Sequence, residues 1–294
     1  MPVQVRYYTD PACSWSWGAE PLLRRLLWEF EGELEVVLVM GGLARRFGTG
    51  YRDEEGAIGS GPDCFADLMS HWLNVSGRTA MPCDPRIWTK NPIASTYPAC
   101  TAVKAAAEQG SEPSLRYLRR VREGLFCERR QLDNPAALLA EAGPAGLDVA
   151  RFEVALGSDA AREAFDADLE EVRTIPDDAR AAGKLSQTEG RERLSFPSLV
   201  FVDATGARRG VWGWQPLEAY REAALAAGAS QVNSGPLAPL DAVARFGRIA
   251  TREAEVLAEA TGPAICAELW RLAAERRLRP LRALTGTLWE AEAP

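Results

Sequence analysis

Asp10-Pro11-Ala12-Cys13-Ser14-Trp15-Ser16-Trp17-Gly18 sits between a β-rich run, Val3 to Thr9 (VQVRYYT), and a helical pattern from Ala19 to Phe30. In that pattern Leu22, Leu23, Leu26, Leu27 and Phe30 fall on one face. Gly32 supplies a stop, and Leu34 to Met40 (LEVVLVM) follows as the nearly continuous apolar run of a strand buried on both faces. The chain therefore opens strand, helix, strand, with a cysteine at the first strand-to-helix turn. Unpaired N–H groups and the positive end of the helix dipole favour a thiolate there, so Cys13 is expected to titrate below an ordinary thiol. Three residues on, one helical turn away, stands Ser16. A serine cannot close a disulfide but can donate a hydrogen bond to the sulfur.

Outward from this turn, Gly41 to Asp63 is rich in glycine and charge and reads as a long loop. A mainly helical region runs on to Gly183, with an Ala-rich helix over Thr96 to Gln109 and a helix marked by Leu115, Leu118, Val121 and Leu125. Strand character returns at Ser198 to Asp203, turns at Gly206, and continues over Arg208 to Trp214; Pro216 then opens a helix to Ala227. Strand-helix-strand, helical insert, hairpin, helix is the order of an α/β thioredoxin-like fold with a large inserted helical domain. Residues 1–45 and 184–229 are expected to form that fold, 46–183 the insertion and 230–239 a linker. Residues 240–294 then form a small, mainly helical module, which should be removable without unfolding the rest. Its helices and final ribbon follow the order of a winged helix.

The second half of the site is Ser195-Phe196-Pro197-Ser198. A proline where a loop enters a strand is a candidate cis-proline, and the exposed backbone before it can pair with an extended substrate. Cys13 and Ser16 are thus the expected chemical residues. Trp15, which shields the sulfur, and Phe196, Pro197 and Ser198 are the expected substrate contacts.

The 294 residues carry 34 basic and 41 acidic side chains, for a net charge of −7, which argues against general attraction to nucleic acid or anionic membranes. From Leu240 onward eight arginines meet eight acidic residues, so the module has no basic excess to bring to DNA and reads better as a protein-interaction element. No apolar stretch reaches membrane-spanning length, and Met1 to Asp10 is too polar for a signal peptide, which points to a cytoplasmic protein. The six cysteines include no pair closer than 17 residues, and with a single histidine no metal site is expected. Apart from Cys13 they read as small core hydrophobes. His71, the single histidine, reads as a packing or surface residue, and Trp72 and Trp88 as core. Asn91 to Ala99 reads as a loop entering a helix, with Ser95 or Thr96 as a cap or facing the site.

The Asp10–Gly18 segment resembles the opening of DsbA-family proteins, and Thr79-Ala80-Met81-Pro82, Asn91 to Ala99, Arg119 to Phe126 and Ser195 to Val200 extend the resemblance over residues 3–227. The nearest branch holds the cytoplasmic FrnE-like oxidoreductases and the YjbH/SpxH-like adaptors. The resemblance implies disulfide or glutathione-linked chemistry with no tightly bound cofactor, and partners that are protein thiols or small thiols such as glutathione. Ser16 departs from the pattern, because dithiol members carry cysteine there. The expected activity is that of a monothiol, Cys-x-x-Ser oxidoreductase forming mixed disulfides through Cys13. A non-catalytic adaptor presenting clients to a protease or partner, and a glutathione-dependent transferase or isomerase, are the alternatives.

Overall fold

The computed structural model describes residues 2–53, 56–60 and 64–292, with backbone alone at 49–53 and 56–60. Its main sheet has four strands in the order Leu34–Met40, Val3–Thr9, Ser198–Val202, Arg208–Val211. Val3–Thr9 runs parallel to Leu34–Met40, with Val3 opposite Leu34 and Thr9 opposite Met40. It runs antiparallel to Ser198–Val202, with Tyr7 opposite Leu199. The central strand ends at Thr9, so the sheet delivers the Cys13 turn directly beside the loop that enters Ser198–Val202.

After the turn the chain forms a short helix, Ser14–Gly18, and a longer one, Glu20–Glu29. Gly18 is required at their junction, because a Cβ there would lie 2.5 Å from Thr79 Cγ2. Glu20–Glu29 packs on Leu217–Ala226, while the insertion helices Tyr97–Ala107, Ser111–Phe126 and Asp159–Glu171 lean on Leu34–Met40. Trp72 and Trp88 are buried and meet edge to face at 5.2 Å; Trp72 also packs on Phe126 at 4.1 Å. These tryptophans are core, as their sequence context suggests.

The stretch read as a loop, Gly41 to Asp63, instead contains an antiparallel pair, Thr49–Asp53 with Gly56–Ser60. Thr49–Asp53 also pairs with Leu185–Thr188, which pairs with Arg191–Leu194, making a second four-stranded sheet. The first hairpin is short and glycine-rich, and its stabilising neighbour lies more than a hundred residues away, so no local apolar alternation announces it.

The last segment forms helices Pro239–Phe246, Thr251–Leu257 and Gly262–Ala274. A three-stranded sheet is ordered Leu278–Arg282, Thr287–Ala291, Ile249–Ala250. It packs a separate apolar cluster around Leu257, Leu269 and Trp289. It is also tied to the main body by buried charge. Glu253 meets Arg119 at 2.8 Å and Arg24 at 3.2 Å, and Arg119 also reaches Glu123 at 2.7 Å and Glu20 at 3.3 Å. A second tie is Thr285, whose backbone N–H donates to the Cys83 carbonyl at 3.1 Å and whose hydroxyl accepts from the Cys83 N–H at 2.8 Å.

Candidate functional site

Asp10 builds the turn. Its buried carboxylate accepts hydrogen bonds from the Ala12 N–H at 2.8 Å, the Leu43 N–H at 2.7 Å, the Thr96 hydroxyl at 2.9 Å and the Cys100 thiol at 3.3 Å. One side chain thereby fixes the turn, the segment after Leu34–Met40 and the entrance of the Tyr97–Ala107 helix. Thr96 faces the site through this bond, and Ser95 accepts from the Tyr97 N–H at 3.1 Å. Burial pushes the Asp10 carboxyl above its usual range, against the opposing pull of these donors.

Cys13 occupies the N-cap of Ser14–Gly18, and its sulfur accepts the Ser16 N–H at 3.4 Å. The thiol donates toward the Phe196 carbonyl oxygen at 3.9 Å, beside a cis Phe196–Pro197 peptide. Cys13 is only 6% exposed, and burial pushes its thiol up, with Asp10 adding in the same direction. The Ser16 hydroxyl, the Ser16 N–H and the Arg193 guanidinium favour the thiolate without overcoming that cost. Burial thus acts against the lowering of the thiol expected from the sequence. Cys13 caps a short helix that continues through Ala19 into Glu20–Glu29, and the desolvation of a buried charge opposes the help that this N-terminus gives the thiolate.

Ser16 is fully buried beside the sulfur, and its hydroxyl makes no directed hydrogen bond. Phe196 packs its ring onto Gly41, where a Cβ would lie 1.9 Å from its Cζ, and under the Arg193 guanidinium at 4.3 Å. Ser198 turns inward. Its hydroxyl donates to the Ser195 carbonyl at 2.7 Å and accepts the Gly213 N–H at 2.9 Å, so it braces the loop. Trp15 is half-buried, its ring 6.3 Å from that of the exposed Trp214, with the Arg78 guanidinium over the Trp15 ring at 5.8 Å.

His71, read from the sequence as a packing or surface residue, and Arg193, which the sequence did not single out, join the site. His71 Nε2 lies 2.9 Å from the Ser14 hydroxyl, and His71 and Arg193 line a small pocket with Cys13, Trp15 and Phe196. His71 comes from the insertion and Arg193 from the second sheet, so no spacing in sequence links them to Cys13. Among the described residues, no group of three or more His, Cys, Asp or Glu is placed to hold a metal ion. No described helix is long and apolar enough to cross a membrane.

The arrangement is a thiol held beside a cis-proline loop, with an aromatic rim. A thioredoxin family model matches residues 7–175. A protein from Halalkalibacterium halodurans named ClpXP adapter protein SpxH is 29% identical over 174 residues, covering 59% of this chain and 55% of that protein's length. The protein of the same name from Bacillus subtilis is 21% identical over 295 residues, covering 99% of this chain and 89% of that one. Among solved structures, one from Nitrosomonas europaea described as a candidate protein disulfide isomerase superposes with a TM-score of 0.59 at 23% identity. It covers 77% of this chain and 97% of that one. The cytosolic disulfide reductase DsbM from Pseudomonas aeruginosa, solved with GSH, superposes with a TM-score of 0.50 at 20% identity, covering 71% of this chain and 89% of that one.

Proposed function

The chain belongs to the thioredoxin family, in its DsbA-type, SpxH-like branch, and from that premise we propose that it is an adaptor presenting a client protein to a ClpXP-type protease. The observation that carries this reading is the state of Cys13. Burial pushes the Cys13 thiol up, away from the thiolate form that reacts. Ser16 leaves it no resolving partner within the turn. The surface around it, by contrast, offers the exposed Trp214 beside Trp15 and Arg78. Aromatic and arginine side chains are the usual anchors of protein recognition. The adaptor name borne by the Bacillus subtilis relative, matched over nearly all of this chain, supports the same reading.

The second reading is a monothiol enzyme that forms a mixed disulfide with glutathione or a protein thiol through Cys13. The Arg193 guanidinium and the Ser16 N–H, both favouring the thiolate, support it. Protein half-lives in strains carrying the wild-type chain, a deletion and Cys13→Ala separate the two. Proteins stabilised by the deletion but turned over normally in Cys13→Ala mark an adaptor. A Cys13→Ala strain that copies the deletion marks the thiol enzyme.

A further inference from the structure

A hairpin of the second sheet forms one side of the Cys13 pocket. Leu185–Thr188 and Arg191–Leu194 pair antiparallel, with Ser186 opposite Arg193. They join through a two-residue turn in which Glu189 and Gly190 both take positive φ, 53° and 73°. A turn of that kind folds a hairpin tightly on itself. Side chains alternate along a strand, so Ser186, Thr188 and Arg193 share the inward face, and all three are buried. Ser186 and Arg193 line the pocket with Cys13, and the Arg193 guanidinium stacks on the Phe196 ring at 4.3 Å.

The underside of this hairpin is polar. No side chain from Leu185 to Arg193 joins an apolar cluster of the described residues; Leu194, at the base, is the first that does. Apolar burial is what chiefly holds an element in place, and elements that contribute little of it open locally at the lowest free energy. The hydrogen bonds of the underside are arranged to survive opening. Arg193 Nε donates to the Thr188 hydroxyl at 2.8 Å and Nη1 to the Leu194 carbonyl at 2.7 Å, both within the hairpin. The base is pinned: the Ser195 N–H donates to the Lys184 carbonyl at 3.1 Å and the Leu194 N–H to the Val172 carbonyl at 2.9 Å. Toward the tip the ties are weaker. The Thr188 hydroxyl donates to the Leu43 carbonyl at 3.4 Å, and Thr188 and Gln187 stand in register with Tyr51 and Arg52. Glu189, Arg191 and Glu192 pair with Arg45, Glu170 and Arg180 at the surface, where ion pairs contribute little.

We propose that the hairpin Leu185–Leu194 is a lid over Cys13. It pivots at its pinned base, Lys184 and Ser195, while the rest of the fold stays intact, and Arg193 on the Phe196 ring is its latch. Opening releases the pairing with Tyr51 and Arg52 and uncovers the Cys13 sulfur and the Phe196 carbonyl together. An extended partner that pairs with that carbonyl therefore holds the lid open. The lid is a property of the fold and stands under either reading of function.

The test follows two rates in the full chain by mass spectrometry: hydrogen exchange of the hairpin amides, and alkylation of Cys13 by iodoacetamide at one fixed pH. Thr188→Ala removes the hydroxyl that ties the tip to Leu43 and leaves the Arg193 Nε without that acceptor when the lid is closed. It should raise both rates by a similar factor, roughly tenfold, as loss of a buried hydrogen-bond partner does, while exchange in Ser198–Val202 stays at the wild-type rate. The double variant Arg52→Cys/Gln187→Cys places two thiols in register across the strand pair. With their disulfide closed, Cys13 should alkylate roughly tenfold more slowly than in the reduced form of the same variant. Thr188→Ala that leaves Cys13 alkylation unchanged, or that speeds hairpin exchange only together with exchange in Ser198–Val202, overturns the proposal. So does a cross-linked hairpin under which Cys13 alkylates as fast as in the reduced form.

Discussion

The Cys13 thiol faces the Phe196 carbonyl oxygen at 3.9 Å, across 183 residues of chain. Residues from two distant strands thereby meet at one point, and the carbonyl an extended partner would use is turned toward the sulfur. Arg193 lies over the Phe196 ring and Ser16 lies one turn beyond Cys13, so the thiol sits between groups that favour its charge and a burial that opposes it.

The balance at Cys13 predicts a pH profile. Burial raises the thiol, so the midpoint of its alkylation rate against pH, followed by mass spectrometry, should lie above the free-thiol value of about 8.5. Arg193→Met removes a charge that lowers it, and should move the midpoint further up. Stability follows the same sign. A folded-state value above the unfolded one favours the protonated native form, so this contribution is full below about pH 8.5 and is lost as pH rises through the folded value. A midpoint below 8.5 would mean that the sulfur is solvated or paired with charge in solution.

Ser16→Cys should close a disulfide with Cys13. The Ser16 side chain is buried beside the sulfur, and a second thiol there makes resolution intramolecular. Under a mild oxidant, thiol counting by mass spectrometry should show the Cys13 and introduced thiols lost together. An introduced thiol that stays reduced would place residue 16 outside bonding distance of Cys13.

Gly41→Ala should destabilise the fold by roughly 1–3 kcal/mol, as overpacking of a filled site does. The new methyl would occupy the space of the Phe196 ring, at 1.9 Å from Cζ. Displacing that ring also uncovers the thiol, so alkylation of Cys13 should accelerate in parallel. Urea unfolding gives the first number and the alkylation rate at fixed pH the second.

Glu253→Ala should cost about 3–5 kcal/mol, the usual effect of removing one member of a buried ion pair. Glu253 is fully buried and serves both Arg24 and Arg119, which would be left facing each other with Glu20 and Glu123 alone to compensate. Denaturant unfolding that matches wild type would show that water enters this interface in solution.

The two strands flanking the Cys13 turn could be read from the sequence with their boundaries, because a buried strand is a run of β-branched and apolar residues. Leu34–Met40 is nearly all of that kind. The Phe196-Pro197 loop was legible because proline at a strand entrance has few uses. The Thr49–Asp53 hairpin was not, since its pairing with Leu185–Thr188 is long-range. His71 and Arg193 were invisible as site residues for the same reason: tertiary packing alone brings them to Cys13. The expected lowering of the thiol assumes solvent access at the helix N-terminus, and the burial of Cys13 is a tertiary property that its local sequence does not show.

Trp214 offers the most direct measurement of the adaptor claim. Trp214 is 42% exposed and its ring stands beside Trp15, so replacing it changes surface while sparing the core. Client half-lives should be measured in strains expressing wild type, Trp214→Ala and Cys13→Ala, each at matched level and melting temperature. The adaptor account predicts that Trp214→Ala lengthens the half-life of clients toward that of the deletion strain while Cys13→Ala leaves it at the wild-type value. Clients stabilised by Cys13→Ala and unaffected by Trp214→Ala would contradict it.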